Sequence, residues 1–436
     1  MVLSVLFWFY LIDKKSSSIS FTEQSAALNE GQQPMIIGAN GSYRLPIAEE
    51  DIIIDDDQRQ VVVNLVNIAI KDSVVRVDEF IHAFNTKFDV SKYKLLYADS
   101  TINYLQVFVP EADREAFKKS VKTTIPNMDL LVWDEVLFSR LETEGEANRN
   151  VTDNKWHLKE INVNPDQFQQ LGKGVTIAVI DNGFDLNHPS LAGRIVSPYN
   201  AFNGGTNVSP ASINHGSHVA SIAMGNSSQV KGVCGTCKLM PIQVEDPNGY
   251  TSSSYVIRGI LYAIKNNADV INLSLGLSFN TNEKIPLDVQ EAFIKDGAVD
   301  ETAFWKELFA YARKNKTVCV IAAGNSNQLT GFDPFQRSES TIKVGALDKN
   351  GHVASFSNYG KYTTLFAPGV DIIGAKPGNQ SEMLDGTSMA SPIVAGYIGL
   401  LKAKSPNATY EEIFQQLLAN TAIANGNKVL KNKTLN

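Results

Sequence analysis

Cysteine is scarce in this chain. The 436 residues include three cysteines, Cys234, Cys237 and Cys319, which are too few to form a disulfide scaffold. Cys234 and Cys237 form a single C-x-x-C pair, and a structural zinc site would need a second pair of ligands. A local disulfide, or two small buried apolar side chains, therefore fits this pair better than a metal site.

An excess of basic residues is also absent. The chain has 39 Lys and Arg against 46 Asp and Glu, a net charge of -7, with no basic cluster that could neutralise a row of phosphates. We therefore expect no nucleic-acid partner. Charged residues make up 19% of the chain and hydrophobic residues 43%, so it can bury a large core, and its length favours more than one folded unit.

Long apolar runs are limited to the start of the chain. Residues Met1 to Ile12, MVLSVLFWFYLI, are almost wholly apolar and are followed by Asp13 and two lysines. This run is too short to span a bilayer, which takes about 20 residues, but it resembles the apolar region of an export signal. We expect an exported protein, extracellular, periplasmic or surface-anchored, which contacts membrane only through this signal or anchor segment.

The first half of the chain has the pattern of a linker followed by a small domain. Residues 13–60 are polar and rich in Ser, Gly, Pro and Asp, as linkers are. The elements that follow, up to residue 139, have the order β-α-β-β-α-β of a ferredoxin-like α+β domain. The predicted strands are Val61–Ile70, Tyr93–Ala98, Tyr104–Val109 and Leu130–Phe138, and the predicted helices are Val77–Phe88 and Glu111–Thr123.

A polar bridge over residues 140–155 leads to a different pattern over residues 156–436. Short apolar strands there alternate with helices, which predicts an α/β fold with a parallel sheet covered on both faces. Ligands bind at the carboxyl ends of strands in such sheets, where Asp181, Ser274 and Asn325 occur. The predicted strands are Val175–Ile180, Lys238–Val244, Val270–Leu273, Val318–Ala322 and Thr341–Val344.

One serine stands at the start of an apolar helical run. The stretch GTSMASP, residues 386–392, leads Ser388 into a helix predicted from Met389 to Lys402. The unpaired N–H groups and partial positive charge of a helix N-terminus favour oxyanions. Thr387 or Ser388 could also simply cap the helix, which is the commoner reason for Ser or Thr at such a position.

Three other residues could turn that serine into a nucleophile. Acyl transfer needs a base for the serine proton, a carboxylate to orient the base, and donors for the developing oxyanion. Asp181, His215 and Asn325 supply one group of each kind. Each also has a structural explanation alone, because Asp after a strand and Gly-Asn form turns, and a histidine beside a helix is commonly a core residue.

Taken together, the motifs resemble the subtilisin-like serine proteases (subtilases, peptidase S8 family). The chain order Asp, His, Ser is the one known for subtilisin. The matching segments cover nearly all of residues 156–422 and read VTIAVIDNGFDLNHP, HGSHVASIA, KLMPIQV, VINLSLG, VIAAGN, VGALDKNGHVASFSNYG, APGVDIIGA and DGTSMASPIVAG.

The resemblance implies a three-layer α/β/α catalytic domain and a serine endopeptidase that acts on protein or peptide substrates through an acyl-enzyme. Asp181 would orient the base, His215 would be the general base and then acid, and Ser388 the nucleophile. Asn325 would donate to the oxyanion, and His218 would have a structural role. The implied substrate-binding residues are an edge strand, Ser274, Leu275 and Gly276, and the opposite wall, Ala322, Ala323 and Gly324.

The resemblance also implies a role for the small domain over residues 61–139. Subtilases of this kind carry a βαββαβ propeptide that assists folding and inhibits the enzyme with its C-terminal tail. The chain would then be a zymogen that cuts itself between Phe138 and Trp156, within the linker of residues 140–155.

Three departures from the family pattern bear on function. Leu277 and Ser278 stand where further glycine is common, which leaves the side-chain preference open. The loop of residues 225–231 is shorter than the usual calcium loop and has no carboxylate, so we expect no metal and no cofactor. Residues 277–316 are longer than usual, with a helical pattern around Glu301 to Arg313.

Two rival functions remain to be compared. A catalytically silent subtilase-fold domain that binds peptides or acts as a surface module would be favoured by the loss of one triad member. An α/β-hydrolase esterase would need a G-x-S-x-G elbow and the order Ser, Asp, His, neither of which occurs. The sequence therefore favours the protease.

Overall fold

The structure, a computed structural model, describes residues 37–38, 41–42, 46–72, 74, 76–125, 127–140, 155–168, 171–209, 215–279 and 285–435. The predicted signal segment and most of the predicted processing linker lie outside these residues. The chain divides into two compact units. The first contains Val61–Glu135 with residues before 54 and Phe202–Gly204, and the second contains Ile54–Gln60, Val136–Ala201 and Gly205–Asn436.

The elements between residues 37 and 140 include every strand and helix predicted there, within three residues at each end. Strands β4, β5, β6 and β7 lie in the order β7-β4-β6-β5, with β4 and β5 antiparallel to β6. The bounds are β1 Ile37–Gly38, β2 Gly41–Ser42, β3 Ile52–Ile54, β4 Gln60–Ile70, α1 Val77–Lys87, β5 Lys94–Asp99, β6 Tyr104–Phe108, α2 Arg114–Thr124 and β7 Leu130–Arg140.

Both helices of the first unit bury aromatic faces against the sheet. Phe80 and Phe84 of α1 and Phe117 of α2 are at most 1% exposed and share one cluster with Val66 and Val107 of the sheet. Part of the stretch predicted as a linker is also regular, because three successive isoleucines form β3 beside β4. β-branched residues favour strands.

The second unit is built on a nine-stranded sheet in the order β19-β20-β16-β15-β14-β12-β8-β10-β9. Its pairs are parallel from β20 to β9, as predicted, and β19 is antiparallel to β20. The strands are β8 Thr176–Asp181, β9 Tyr199–Asn200, β10 Lys238–Gln243, β11 Thr251–Ser252, β12 Val270–Leu273, β13 Leu275–Leu277, β14 Val318–Ala322, β15 Thr341–Leu347, β16 Leu365–Pro368, β17 Ile372–Lys376, β18 Gln380–Leu384, β19 Thr421–Ala424 and β20 Asn427–Leu430.

Helices cover both faces of this sheet, which confirms the three-layer α/β/α prediction. Ile177 and Val179 of β8 share a core with α4 and α8, whereas Ile180, on the other face, lies against Gly259 of α5. The helices are α3 Trp156–Glu160, α4 His215–Met224, α5 Ser253–Lys265, α6 Leu287–Asp296, α7 Val299–Lys314, α8 Thr387–Lys404 and α9 Tyr410–Ala419.

Helix α8 is the central helix of the unit. Every residue from Thr387 to Lys402 is buried, and the helix packs against α4 and five strands of the sheet. A helix that is apolar on all sides is stable only inside a core, which explains its small and aliphatic composition.

The C-x-x-C pair forms a disulfide between Cys234 and Cys237, and both side chains are fully buried beside α8. Gly399 of α8 makes room for it, since a Cβ atom there would lie 3.0 Å from the sulfur of Cys237. Cys319 is a buried free thiol whose pKa is raised by burial. The cysteines are thus part of the core.

We predict that replacing Cys234 and Cys237 together by alanine lowers the free energy of unfolding by about 2 kcal/mol, since the loop that the disulfide closes is short. Urea denaturation measures the loss. Reductant should destabilise the wild-type protein and leave the double variant unchanged. An equal effect of reductant on both proteins would contradict the assignment.

Candidate active site

Asp181 and His215 form the first contact of the site. Asp181 is the last residue of β8, and His215 is the first residue of α4. The Nδ1 atom of His215 lies 2.8 Å from Oδ1 and 3.0 Å from Oδ2 of Asp181. Both residues are at most 2% exposed, so the carboxylate can fix the imidazole tautomer and stabilise its protonated form.

The loop after β8 holds the start of α4 in place. The Asn182 side chain accepts a hydrogen bond from the Gly216 amide at 3.1 Å, and Ser217 Oγ accepts one from the Asp185 amide at 2.6 Å. A Cβ atom at Gly216 would lie 2.5 Å from the Gly183 carbonyl oxygen. Glycine at 216 therefore permits the close approach that joins His215 to Asp181.

His218 has the structural surroundings that the sequence predicts for it. It is fully buried, its Nε2 lies 3.2 Å from the Glu382 carbonyl oxygen, and its ring packs on Gly374. Burial, with a smaller contribution from His215, lowers the pKa of His218 to about 3. His218 is therefore neutral at any pH near neutrality.

Ser388 lies in the first turn of α8, and the simple capping explanation is wrong. Gly386 is the N-cap residue, and no side chain caps the helix there. Ser388 Oγ donates to the Ser274 carbonyl oxygen at 3.1 Å, and Ser274 Oγ donates to the Ser388 carbonyl oxygen at 3.0 Å. Pro392, four residues on, has no N–H for that carbonyl, so Ser274 supplies the missing donor.

Asn325 joins the same helix end from the neighbouring strand. Its Oδ1 accepts hydrogen bonds from the Thr387 amide at 2.9 Å and from Thr387 Oγ1 at 2.8 Å. Because a backbone N–H can only donate, this contact fixes which side-chain atom is the oxygen. The other atom, Nδ2, is buried, and no hydrogen-bond partner for it lies in the part of the chain that the structure describes.

The sheet brings these residues to one edge. Strands β8, β12 and β14 are parallel neighbours, with Leu273 opposite both Ile180 and Ile321. Neighbouring strands lie about 4.8 Å apart. The residues that follow, Asp181, Ser274 and Ala322, are therefore level at the carboxyl edge, where ligands bind in α/β sheets.

The predicted edge strand is β13, and it is already paired. Leu275, Gly276 and Leu277 lie opposite Arg140, Ser139 and Phe138 in antiparallel register. On the other side, Thr251 and Ser252 of β11 pair with Phe138 and Leu137. The end of β7 thus occupies the space between β11 and β13 as an added strand.

An aromatic pocket receives the side chain of that added strand. The Phe138 ring lies 5.4 Å from the ring of Phe335 and 6.1 Å from that of Trp305, both in edge-on geometry. Asp333 Oδ2 accepts a hydrogen bond from the Leu277 amide at 2.9 Å, and burial raises the pKa of Asp333 to about 7. The sequence did not single out Phe335 or Asp333, since neither follows a pattern of its own.

The predicted opposite wall is rigidly held. Gln336 Nε2 donates to the carbonyl oxygens of Ala322 and Ala323, each at 3.0 Å. Gly324 has φ of +107°, which favours glycine, and a Cβ atom there would overlap the Asn358 side chain. These contacts fix the strand end that carries Asn325.

The loop of residues 225–231 does not fit a calcium ion. Calcium takes six to eight oxygen ligands, usually including carboxylates, and this loop has none. Lys231 Nζ lies 3.1 Å from Asn226 Oδ1 instead. Within the described ranges, no cluster of three or more His, Cys, Asp or Glu residues could hold a metal, and no helix is long and apolar enough to cross a bilayer.

Known proteins resemble the chain over more than half of its length. It is 37% identical over 238 residues to the thermophilic serine proteinase of Bacillus sp. (strain AK1), covering 54% of this chain and 53% of that protein. It is 34% identical over 276 residues to Subtilisin NAT of Bacillus subtilis subsp. natto, covering 61% and 64%. The chain therefore spans about half to two thirds of the length of these curated relatives.

The fold comparison agrees. The crystal structure of fervidolysin from Fervidobacterium pennivorans, a keratinolytic enzyme related to subtilisin, superposes with a TM-score of 0.66 at 22% identity. The match covers 91% of this chain and 63% of fervidolysin, and at this identity it shows the fold alone. The sequence model of the subtilase family matches residues 172–435, more than half of the chain. Because this model matches more than half of the chain, and the fold agrees with it, the chain belongs to the subtilase family.

Proposed function

We propose that this protein is a serine endopeptidase that hydrolyses peptide bonds of protein substrates through an acyl-enzyme. Ser388 Oγ attacks the scissile carbonyl, and His215 takes the hydroxyl proton and then gives it to the leaving amine. Asp181 holds the imidazole through the contact of 2.8 Å and stabilises its charged form. Water then attacks the acyl-enzyme with His215 again as base, which releases the acid product and restores the serine.

The observation that carries this proposal is the amide of Asn325. Its oxygen is held by Thr387, so its Nδ2 donor is fixed in direction and is buried without a partner among the described residues. An unpaired buried donor costs about 1–3 kcal/mol. A developing oxyanion would satisfy this donor, and an oriented donor is what stabilises such a transition state.

The substrate would bind as an extra strand between β11 and β13. The pairing of residues 137–140 with both strands supports this mode, and Phe138 supports an apolar or aromatic preference at the subsite of Trp305 and Phe335. Ala322, Ala323 and Gly324 would line the pocket for the residue before the scissile bond. A silent peptide-binding module would use the same strands, but it would have no need of an oriented His215 or of the Asn325 donor.

The pairing also supports the zymogen proposal. Residues 136–140 belong to the second unit and lead directly into the predicted linker of residues 140–155. A chain held in this cleft would act as an intramolecular inhibitor and place the linker near the serine. The apolar run of residues 1–12, which resembles an export signal, supports export of the protein.

We predict that Asn325→Asp lowers kcat by about 10²–10³-fold with little change in KM, the range known for subtilisin itself. Aspartate keeps the acceptor for Thr387 but replaces the Nδ2 donor by an oxygen. Steady-state hydrolysis of a chromogenic peptide measures the effect. Thr387→Ser, which keeps both hydrogen bonds, is the control, and a kcat of Asn325→Asp equal to that of the control would refute the donor role.

We predict a sharp contrast between the two histidines of α4. His215→Gln should lower kcat by about 10⁴-fold or more, because the general base is lost. His218→Gln should keep kcat within about fivefold, equivalent to about 1 kcal/mol of barrier, while lowering the melting temperature. The same assay and thermal denaturation compare them, and similar losses of kcat in both would show that the roles are wrongly assigned.

We predict that the wild-type chain cuts itself between Phe138 and Trp156 and that Ser388→Ala stays at full length. Mass spectrometry of the purified proteins gives the cleavage position. A fluorophosphonate probe should label Ser388 in the processed wild-type protein and leave Ser388→Ala unlabelled. A folded, processed protein that takes no label would favour the binding module, and equal cutting of both proteins would rule out self-processing.

A further inference from the structure

The segment Ile54–Gln60 precedes the βαββαβ elements in the chain, yet it belongs to the second unit. The Gln60 amide donates to the Ser278 carbonyl oxygen at 3.1 Å, and Ser278 Oγ donates to Gln60 Oε1 at 2.7 Å. Arg59 forms an antiparallel bridge with Phe279. The segment therefore adds backbone pairing to the chain that follows β13.

The side chain of Arg59 ends in a buried ion pair. Its Nη1 lies 2.8 Å from Oε2 of Glu301 in the first turn of α7. Arg59 is 8% exposed and Glu301 is 1% exposed. A buried carboxylate that loses its partner is strongly destabilising, so this contact differs in kind from the exposed ion pairs of the chain.

A compact turn prepares Arg59 for this contact. Asp55 Oδ1 accepts hydrogen bonds from the amides of Asp57 and Arg59, at 3.0 and 2.8 Å, and Asp55 Oδ2 accepts one from Arg59 Nε at 2.8 Å. Gln58 has φ of +63°, which closes the turn. The guanidinium is thus held flat between two carboxylates, a geometry that lysine cannot reproduce.

No other cation can replace Arg59 at Glu301 among the described residues. Trp305 Nε1 donates to Glu301 Oε1 at 3.3 Å, but it is neutral. The guanidinium of Arg337 is close enough to affect the pKa of Glu301, yet all of its N–H donors are directed elsewhere. They donate to the carbonyl oxygens of Gly331, Gly297, Phe293 and Phe332 and to Thr302 Oγ1.

We propose that Glu301 forms the base of an arginine-binding site on the second unit, beside the aromatic pocket that receives Phe138 and joined to it through Trp305. The site takes the guanidinium of an arginine carried on an extended strand that pairs with Ser278 and Phe279. In the full chain its ligand is Arg59. The site therefore holds the segment Ile54–Gln60 against the rest of the second unit.

If the proposed self-processing is correct, the site is also exposed to other ligands after the cut. A cut between Phe138 and Trp156 makes Arg59 part of a separate chain, and its departure leaves Glu301 without a cation. Until it departs, the released chain would be held on the second unit by this side chain together with the backbone pairing of Gln60 and of residues 137–140. Another strand with an arginine at this position would then bind at the same place.

The test uses the full chain with Ser388→Ala, so that no step depends on proteolysis. Arg59→Ala in this background should lower the melting temperature by about 5–10 °C. Ethylguanidinium at ten times its dissociation constant should restore about 2–4 °C, because it refills the site. Ethylammonium at the same concentration should restore much less, since it lacks the planar fork.

Two further variants make the result specific. Arg76→Ala, which breaks a pair with the exposed Glu79, should lose little stability and gain nothing from ethylguanidinium. The double variant Arg59→Ala, Glu301→Gln should also gain no stability from ethylguanidinium. If the double variant does not fold, isothermal titration of ethylguanidinium into Arg59→Ala and into its Ser388→Ala parent tests the same point, and only Arg59→Ala should bind it. The proposal would be overturned if ethylguanidinium and ethylammonium raised the melting temperature of Arg59→Ala equally. It would also be overturned if ethylguanidinium stabilised, or bound to, proteins with and without Arg59 equally. Neither result would affect the protease proposal.

Discussion

The attachment of the α8 N-terminus to two strand ends is the constraint on which the site depends. Ser274 after β12 holds the carbonyl of Ser388, and Asn325 after β14 holds the amide of Thr387. A helix start normally leaves its groups to water or to a cap. Here the sheet itself supplies the partners, so the position of Ser388 is set by the register of the parallel strands.

The same contacts leave one hydrogen-bond donor of the site unpaired among the described residues. The carbonyl of Ser388 lacks its intrahelical partner because residue 392 is proline, and Asn325 gives its oxygen to Thr387 and keeps its nitrogen unpaired among the described residues. Ser274 satisfies the carbonyl, so only the unpaired donor of Asn325 carries a cost, which the rest of the fold offsets. A preoriented donor needs no reorganisation during reaction, which is how electrostatic preorganisation lowers a barrier.

The sequence predicts those parts of the structure that have a local pattern. The central strands, the βαββαβ order and the positions of Asp181 and Asn325 follow from apolar runs that end in small or polar residues. The position of Ser388 follows from the apolar helical run that it begins. Helix α6 was missed because its apolar residues Leu287 and Val289 face solvent, at 52% and 49% exposed, and blur the helical period.

Contacts between distant residues that belong to no motif could not be predicted. Arg59 and Glu301 are 242 positions apart, and each stands in a charged stretch that reads as solvated surface. The Asp333 contact with Leu277 is of the same kind, since 56 positions separate the two residues. Such pairs form only when the tertiary fold brings the two residues together. Neither residue of a pair lies in a periodic pattern that would mark its partner in the sequence.

The tethered start of α8 also affects how the backbone moves. Helix ends usually fray, and their amide protons exchange with solvent through small local openings. At Thr387 such an opening would have to break bonds to Asn325 and disturb Ser274 together, so it would resemble unfolding of the sheet more than fraying. Ser388, the proposed nucleophile, therefore lies on backbone whose motion is coupled to the central sheet, and any adjustment during the proposed reaction falls to the bound peptide.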